Sequence, residues 1–168
     1  MNESRPEEAG PGAIDFPLWR ILGHTAYLVG RSREKELAGL DLTPEQAYVL
    51  DIVHAAGGVT TINRIVEMTQ RKHNSISALV DRMARQGLIK KSRTRRDRRV
   101  FSIRSTPKGE ALLARVPRDS VRQAFSCLAP AEKQQLAALL QAVMEHAYRL
   151  TGTESPIPDW PGDDSAKA

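Results

Sequence analysis

Apolar residues recur at three- and four-residue intervals along most of this chain and alternate in only one place. From Phe16 to about Leu40, Trp19, Leu22, Ala26 and Val29 form a stripe widened by Ile21 and Leu28, which predicts a first long helix. Leu42-Thr43-Pro44-Glu45-Gln46 predicts a second helix start. Thr43 is placed to cap, Pro44 to occupy the first helical position, and Gln46 to close a capping box. Its apolar face is Tyr48, Val49, Ile52 and Val53, and Gly57-Gly58 ends it. A short helix follows over Ile62–Thr69, then a polar connection, Gln70-Arg71-Lys72-His73. The next helix is expected from Asn74 to Gln86, capped by Asn74 and stopped by Gly87. It buries Ile76, Leu79, Val80 and Met83.

The alternating stretch is Leu88–Arg93 and Arg99–Arg104, two strands flanking a turn, with Phe101 and Ile103 on one buried side. Helix restarts at Thr106-Pro107, meets a break at Pro117, and resumes through Val121, Ala124, Phe125 and Leu128. A last helix opens at about Pro130. Its Leu136, Leu140, Val143, Ala147 and Leu150 trace the seam of a packed helix pair. Residues 1–12 and 153–168, rich in Pro, Gly, Ser and acids, read as disordered tails, with Trp160 a stray aromatic or a docking residue.

Composition narrows the function. The chain has 168 residues, 40% hydrophobic and 27% charged, which suits one domain with a real core. Aromatics at 5% argue against a stacking platform for single-stranded nucleic acid. No apolar run can span a bilayer, so no membrane partner is expected, and the polar N-terminus has no signal-peptide core. One cysteine, Cys127, fits a reducing cytoplasm. The net charge of +5 is unevenly spread. Residues 71–108 hold 13 Lys/Arg against two acids, a net +11, while the rest holds 12 bases and 18 acids, a net −6. A basic block in an otherwise acidic chain is the footprint of a phosphate-backbone binder; a solvated face or an acidic partner is the alternative.

Two short helices joined by a polar turn and followed by a basic hairpin make a winged helix-turn-helix, with double-stranded DNA as the expected partner. With its apolar face buried, the second of these helices presents Ser75, Ala78, Arg82 and Arg85 outward, Ser77 and Asp81 on the flanks, and Asn74 at its start. Arg82 is the residue best suited to grip a guanine or a phosphate, whereas Arg85 has the option of pairing with Asp81 one turn away. In the hairpin turn, Arg93, Arg95, Arg96, Arg98 and Arg99 surround the lone Asp97. Such a cluster repels itself unless an anion neutralises it. Arginine suits a narrow minor groove, and Asp97 is expected to hold one arginine in shape.

Residues Leu42 to Leu113, some 40% of the chain, resemble the MarR family of regulators. The matching pieces are Leu42 to Leu50, Ser75 to Met83, Gly87-Leu88-Ile89, Asp97-Arg98-Arg99, and Ser105-Thr106-Pro107-Lys108-Gly109. The resemblance implies a homodimer whose first and last two helices intertwine, a pseudo-palindromic operator, and an arginine at position 99 reaching the minor groove. The fold class is then mainly α with a small β-wing (α+β). A winged helix-turn-helix core at about 42–106 is flanked by dimerisation helices at about 14–40 and 107–151, all within a single domain over 13–152. Three departures stand out: Thr69 and Arg71 replace apolar residues before the recognition helix, Ala78 replaces a longer polar residue, and Pro117 interrupts a long helix.

The expected function is a DNA-binding transcriptional regulator, most simply a repressor, rather than an enzyme. The histidines His24, His54, His73 and His146 have no metal-ligand spacing, and no nucleophile elbow or phosphate-cradling loop is present. No cofactor is expected. The resemblance implies that a small-molecule effector, where there is one, sits between the first helix and the DNA-binding lobe, where His24, Tyr27 and Arg31 fall at helical spacing; core packing and surface exposure explain them equally. Cys127, beside Phe125 and Leu128, reads as a small hydrophobe in preference to a redox switch. A winged-helix module for protein contacts is the alternative function. If Asp97 shapes one arginine for the minor groove, Arg99→Ala costs more DNA affinity than Arg95→Ala in a binding titration. Equal losses reduce the wing to plain electrostatics.

Overall fold

The computed structural model describes residues 12–93 and 101–152. Its element order is α1 (Asp15–Ala38), α2 (Pro44–Ala55), β1 (Val59–Thr61), α3 (Ile62–Thr69), α4 (His73–Arg85), β2 (Ile89–Arg93), β3 (Phe101–Ser105), α5 (Pro107–Ala114), α6 (Asp119–Ala124) and α7 (Pro130–Thr151). The three strands form an antiparallel sheet in the order β1-β3-β2. The predicted mainly helical fold with a small sheet is present.

Local chemistry explains the boundaries. Thr43 accepts from the Gln46 backbone N–H at 3.2 Å while the Gln46 side chain accepts from the Thr43 N–H at 2.9 Å, the reciprocal box expected from sequence. Thr61 and Thr106 cap α3 and α5 in the same way, accepting from the N–H groups of Arg64 and Gly109. Helices α2 and α4 both end in a Schellman motif. Gly57 and Gly87, at φ 72° and 74°, take the left-handed turn, and the next residue donates back to Val53 and Met83 respectively.

Sequence and structure differ at several points. Helix α4 begins one residue early: extended Lys72 is its N-cap, with no side-chain cap bond, and Asn74 lies inside the first turn instead of capping it. The carbonyl of Lys72 accepts from Ser75 and Ile76, so the helix is already under way at Asn74. Strand β1 has no counterpart in the hydrophobic pattern, because three residues after a glycine pair carry no alternation to read. It exists through pairing, with Thr60 opposite Ile103. The hairpin strands are shifted, since Leu88 precedes β2 and Ser105 belongs to β3. Beyond Pro117 the helix is short: α6 stops at Ala124, leaving Phe125 and Leu128 outside it.

The core lies in the lobe built from α2 to β3, joined by Leu37 from the end of α1. Val49 and Val53 of α2, Ile65 of α3, Val80 and Met83 of α4, and Ile103 of β3 are all fully enclosed. By contrast α1 buries Leu37 alone and α7 buries no residue. Phe16, Trp19, Leu22 and Leu28 of α1 and Leu139, Leu140 and Val143 of α7 remain exposed, a far larger apolar display than a monomeric surface normally carries.

Two polar junctions fix how the pieces meet. At the first, Thr106 Oγ1 lies 2.7 Å from the Gly87 carbonyl and 3.0 Å from that of Leu88, donating to them while it caps α5. Here α5 presses so close that a Cβ on Gly109 would lie 2.1 Å from the Leu88 carbonyl oxygen. At the second, Glu36 of α1 accepts from the backbone N–H of Ser120 at 2.9 Å and from its hydroxyl, and pairs with Arg33 at 2.6 Å. Arg33 also donates to the Pro117 carbonyl, which the break between α5 and α6 leaves free. Burial alone would push the Glu36 carboxyl up. The Ser120 hydrogen bonds and the Arg33 charge prevail and take it from 4.5 down to about 2.

Gly109→Ala is therefore expected to destabilise the fold by about 3 kcal/mol in chemical denaturation. Gly39→Ala, at φ −68° with open space around it, serves as the tolerated control. The depressed Glu36 carboxyl contributes stability that is full above about pH 4.5 and is lost as pH falls toward 2. After solvent screening, Glu36→Gln should lower the neutral-pH stability by about 1–2 kcal/mol and flatten the acid limb of the stability profile. An unchanged acid limb would contradict this account.

Candidate nucleic-acid interface

Helices α3 and α4 and the turn between them form the helix-turn-helix. Thr69 and Arg71, the polar residues standing where apolar ones are usual, rebuild that turn. Thr69 donates back to the Ile65 carbonyl at 2.7 Å, Gln70 adopts the left-handed conformation at φ 52°, and Arg71 reaches across to Glu45 of α2 at 3.1 Å. The turn is thus closed by hydrogen bonds and an ion pair in place of packed side chains. Beneath it, Tyr48 donates to the Met68 carbonyl at 3.2 Å, and burial, with the nearby Asp51 and Tyr148, pushes its phenol up. A cavity of about 320 Å³ opens beside these residues, floored by Val49, Ile76 and Leu79.

Helix α4 divides its faces as its sequence predicts. Ile76, Leu79, Val80 and Met83 are buried. Asn74, Ser75, Ala78, Arg82 and Arg85 are exposed, with Ser77 half-buried. Position 78 presents only a methyl group, so the outward face is small near its start and cationic near its end. Lys72 and His73 extend the exposed polar surface at the helix start, and the His73 Nδ1 stands 3.4 Å from the Ser77 hydroxyl. The sequence pattern puts those two residues in the connection before the helix; the earlier helix start brings them onto the exposed face of α4. The pairing of Asp81 with Arg85 is not what forms. Asp81 instead accepts from Lys91 Nζ of β2 at 2.7 Å. Arg85 accordingly keeps its place on the outward face.

The sheet carries the basic residues onward. Lys90, Lys91 and Arg93 of β2 pair with Arg104, Ile103 and Phe101 of β3. The hairpin residues Arg95, Arg96, Asp97, Arg98 and Arg99 lie outside the described residues. The candidate effector residues do not gather into one pocket. His24 lines a cavity of about 410 Å³ along α1 itself, with Phe16, Pro17, Arg20, Ile21, Thr25 and Leu28. Tyr27 and Arg31 are exposed and do not line it. Cys127 is exposed and lies past the end of α6, so it is not the buried hydrophobe expected. Among the described residues no His, Cys, Asp and Glu cluster suits a metal ion, and no helix is long and apolar enough to cross a membrane.

A profile of the MarR family matches residues 40–100, the stretch from the end of α1 into the hairpin. Over those residues the chain is similar to the MarR family of regulators. The HTH-type transcriptional regulator PecS of Dickeya dadantii is 26% identical over 130 residues, covering 74% of this chain and 78% of PecS. The ligand-free organohalide-sensing regulator RdhR shares the fold with a TM-score of 0.79 at 21% identity, over 97% of this chain and 98% of its own. A cysteine-to-serine variant of MarR from E. coli, solved in complex with operator DNA, superimposes with a TM-score of 0.72 at 21% identity, over 79% and 96% of the two chains. PecS and RdhR are transcriptional regulators, and the winged-helix fold of the MarR structures accounts for the element order seen here.

Proposed function

We propose that this protein is a repressor of the MarR family that binds double-stranded DNA as a homodimer on a pseudo-palindromic operator. Helix α4 enters the major groove, with Arg82 and Arg85 gripping a base edge or the backbone and Asn74, Ser75, Ser77 and Ala78 letting its start approach closely. The hairpin, with Arg95, Arg96, Arg98 and Arg99 around Asp97, follows the adjacent minor groove. The observation that carries this reading is the division of α4. Four apolar residues anchor it in the core, while its other face is exposed, uncluttered and cationic. A protein-contact module needs no such small-then-basic helix face beside a basic hairpin.

Dimerisation follows from the exposed apolar faces of α1 and α7. Leu140 and Val143 sit at seam spacing on α7, and Trp19 and Leu22 at the same spacing on α1; a second copy removes both faces from water. A small-molecule effector relieves repression by binding against α1 near His24. The cavity along that helix supports this placement. The neighbour RdhR has been solved with 2,4-dichlorophenol bound.

Footprinting the purified protein on the DNA upstream of its own gene is expected to give a palindromic footprint with half-sites about one helical turn apart. Affinity should fall steeply with salt, as neutralising roughly six to ten phosphates requires. Absence of protection at low salt would sink the DNA-binding reading. The double variant Leu140→Asp, Val143→Asp is expected to sediment as a monomer and to lose operator binding.

A further inference from the structure

We propose that Lys91 is a positioning residue: its ammonium, seated between the Asp81 carboxylate and the Phe101 ring, fixes the wing strands at a set angle to the recognition helix. Lys91 Nζ lies 2.7 Å from Asp81 Oδ1 and 4.4 Å from the centroid of the Phe101 ring. The three groups come from three elements, α4, β2 and β3. In the β2–β3 register Lys91 faces Ile103 and Arg93 faces Phe101, so Lys91 reaches diagonally along one face of the sheet to the ring. Arg93 approaches the same ring from one pair further out, at 5.8 Å.

The need for such a contact follows from the topology. Strand β1 supports β3 only from Ser102 to Arg104. Beyond that, at the Arg93–Phe101 pair, the sheet narrows to two strands, and a two-stranded ribbon is marginal alone and twists readily. The recognition helix is linked to the ribbon through Gln86, Gly87 and Leu88, and the shared core and the Thr106 hydrogen bonds hold the two together at the base of the ribbon. The Asp81–Lys91–Phe101 contact is a further attachment, placed near the narrowing. It pre-orders helix and ribbon before DNA arrives, which reduces the ordering cost of binding. Lys91 is poorly suited to touch phosphate itself. Only 20% of its side chain is exposed, and its charge already faces a carboxylate.

This proposal rests on the DNA-binding reading, and its test separates the two. Affinity of the full chain for the footprinted duplex is measured against salt for wild type, Lys91→Met, Lys91→Arg and Asp81→Asn. Lys91→Met and Asp81→Asn are each expected to weaken binding about three- to tenfold, with the log–log salt slope unchanged. Lys91→Arg, which keeps both the charge and the cation–π contact, should retain most of the affinity. The sign at position 81 discriminates: deleting a negative charge beside a polyanion tightens binding unless that charge positions something. Tighter binding by Asp81→Asn would overturn the proposal, as would a slope reduced by about one in Lys91→Met, the mark of a lost phosphate contact. In the DNA-free protein, the ε-methylene protons of Lys91 should be shifted upfield by the ring and should relax in Phe101→Leu. Unshifted protons would overturn the contact even where DNA binding stands. A wild-type chain that protects no duplex overturns the DNA-binding reading, and the positioning role with it, whatever the ring shift shows.

Discussion

Around Thr106, the end of the recognition helix, the base of the wing and the start of α5 share one set of hydrogen bonds. The Thr106 hydroxyl donates to the carbonyls at the end of α4 while accepting from Gly109, its own N–H reaches the Leu88 carbonyl, and Lys108 adds a bond to the Gln86 carbonyl. The Ser105 N–H, one residue earlier, ties the strand to Gly58. A glycine at 109 is what allows backbone to approach backbone this closely. The direction in which α5 leaves the lobe is therefore locked to the end of α4, and every proposed geometry of two lobes on DNA inherits that lock.

The molecule divides into a lobe that satisfies itself and helices that do not. Within the lobe, buried polar groups are paired: Gln46, almost wholly enclosed, bonds both to Thr43 and to the Gln86 side chain, which ties the start of α2 to the end of α4. Among the described residues no buried side-chain nitrogen or oxygen lacks a partner. The long helices instead hold on by a polar latch. Arg33, Glu36 and Ser120 join α1 to α6 across the break that Pro117 creates, and the break supplies the free carbonyl that Arg33 uses. The interrupted helix is thus a join between α1 and the C-terminal segment, with apolar stripes on either side left for another surface.

DNA recognition, on the proposed reading, needs two rigid elements held at a fixed relation. The core supplies the first by burying one stripe of α4. The second comes from small polar contacts: the turn closed by Thr69 and by Arg71 with Glu45, and the Lys91 ammonium between Asp81 and Phe101. Each of these uses a residue whose side chain alone announces only polarity or charge.

Period-3.6 stripes, threonine caps and glycine stops determined α2, α3, the buried face of α4 and the opening of α7, because those signals act within one turn of the chain. Fold class was legible for the same reason, as was the outward set at Ser75, Ala78, Arg82 and Arg85, which is simply the complement of the buried stripe. What needed tertiary structure was anything decided between elements. Strand β1 is three residues that become a strand only because β3 offers a partner. The start of α4 moved to His73 because the left-handed Gln70 and extended Lys72 set the chain direction before Asn74. Asp81 chose Lys91 over Arg85 because the packing of β2 against α4 delivers an ammonium at 2.7 Å, whereas an i,i+4 pair on an exposed helix gains only tenths of a kcal/mol, about 0.2–0.5. Alternation put Phe101 and Ile103 on one face, and the strand register adds Lys91 and Arg93 to it. Which helix lies over that face is a distance in space, and a one-dimensional pattern does not contain it.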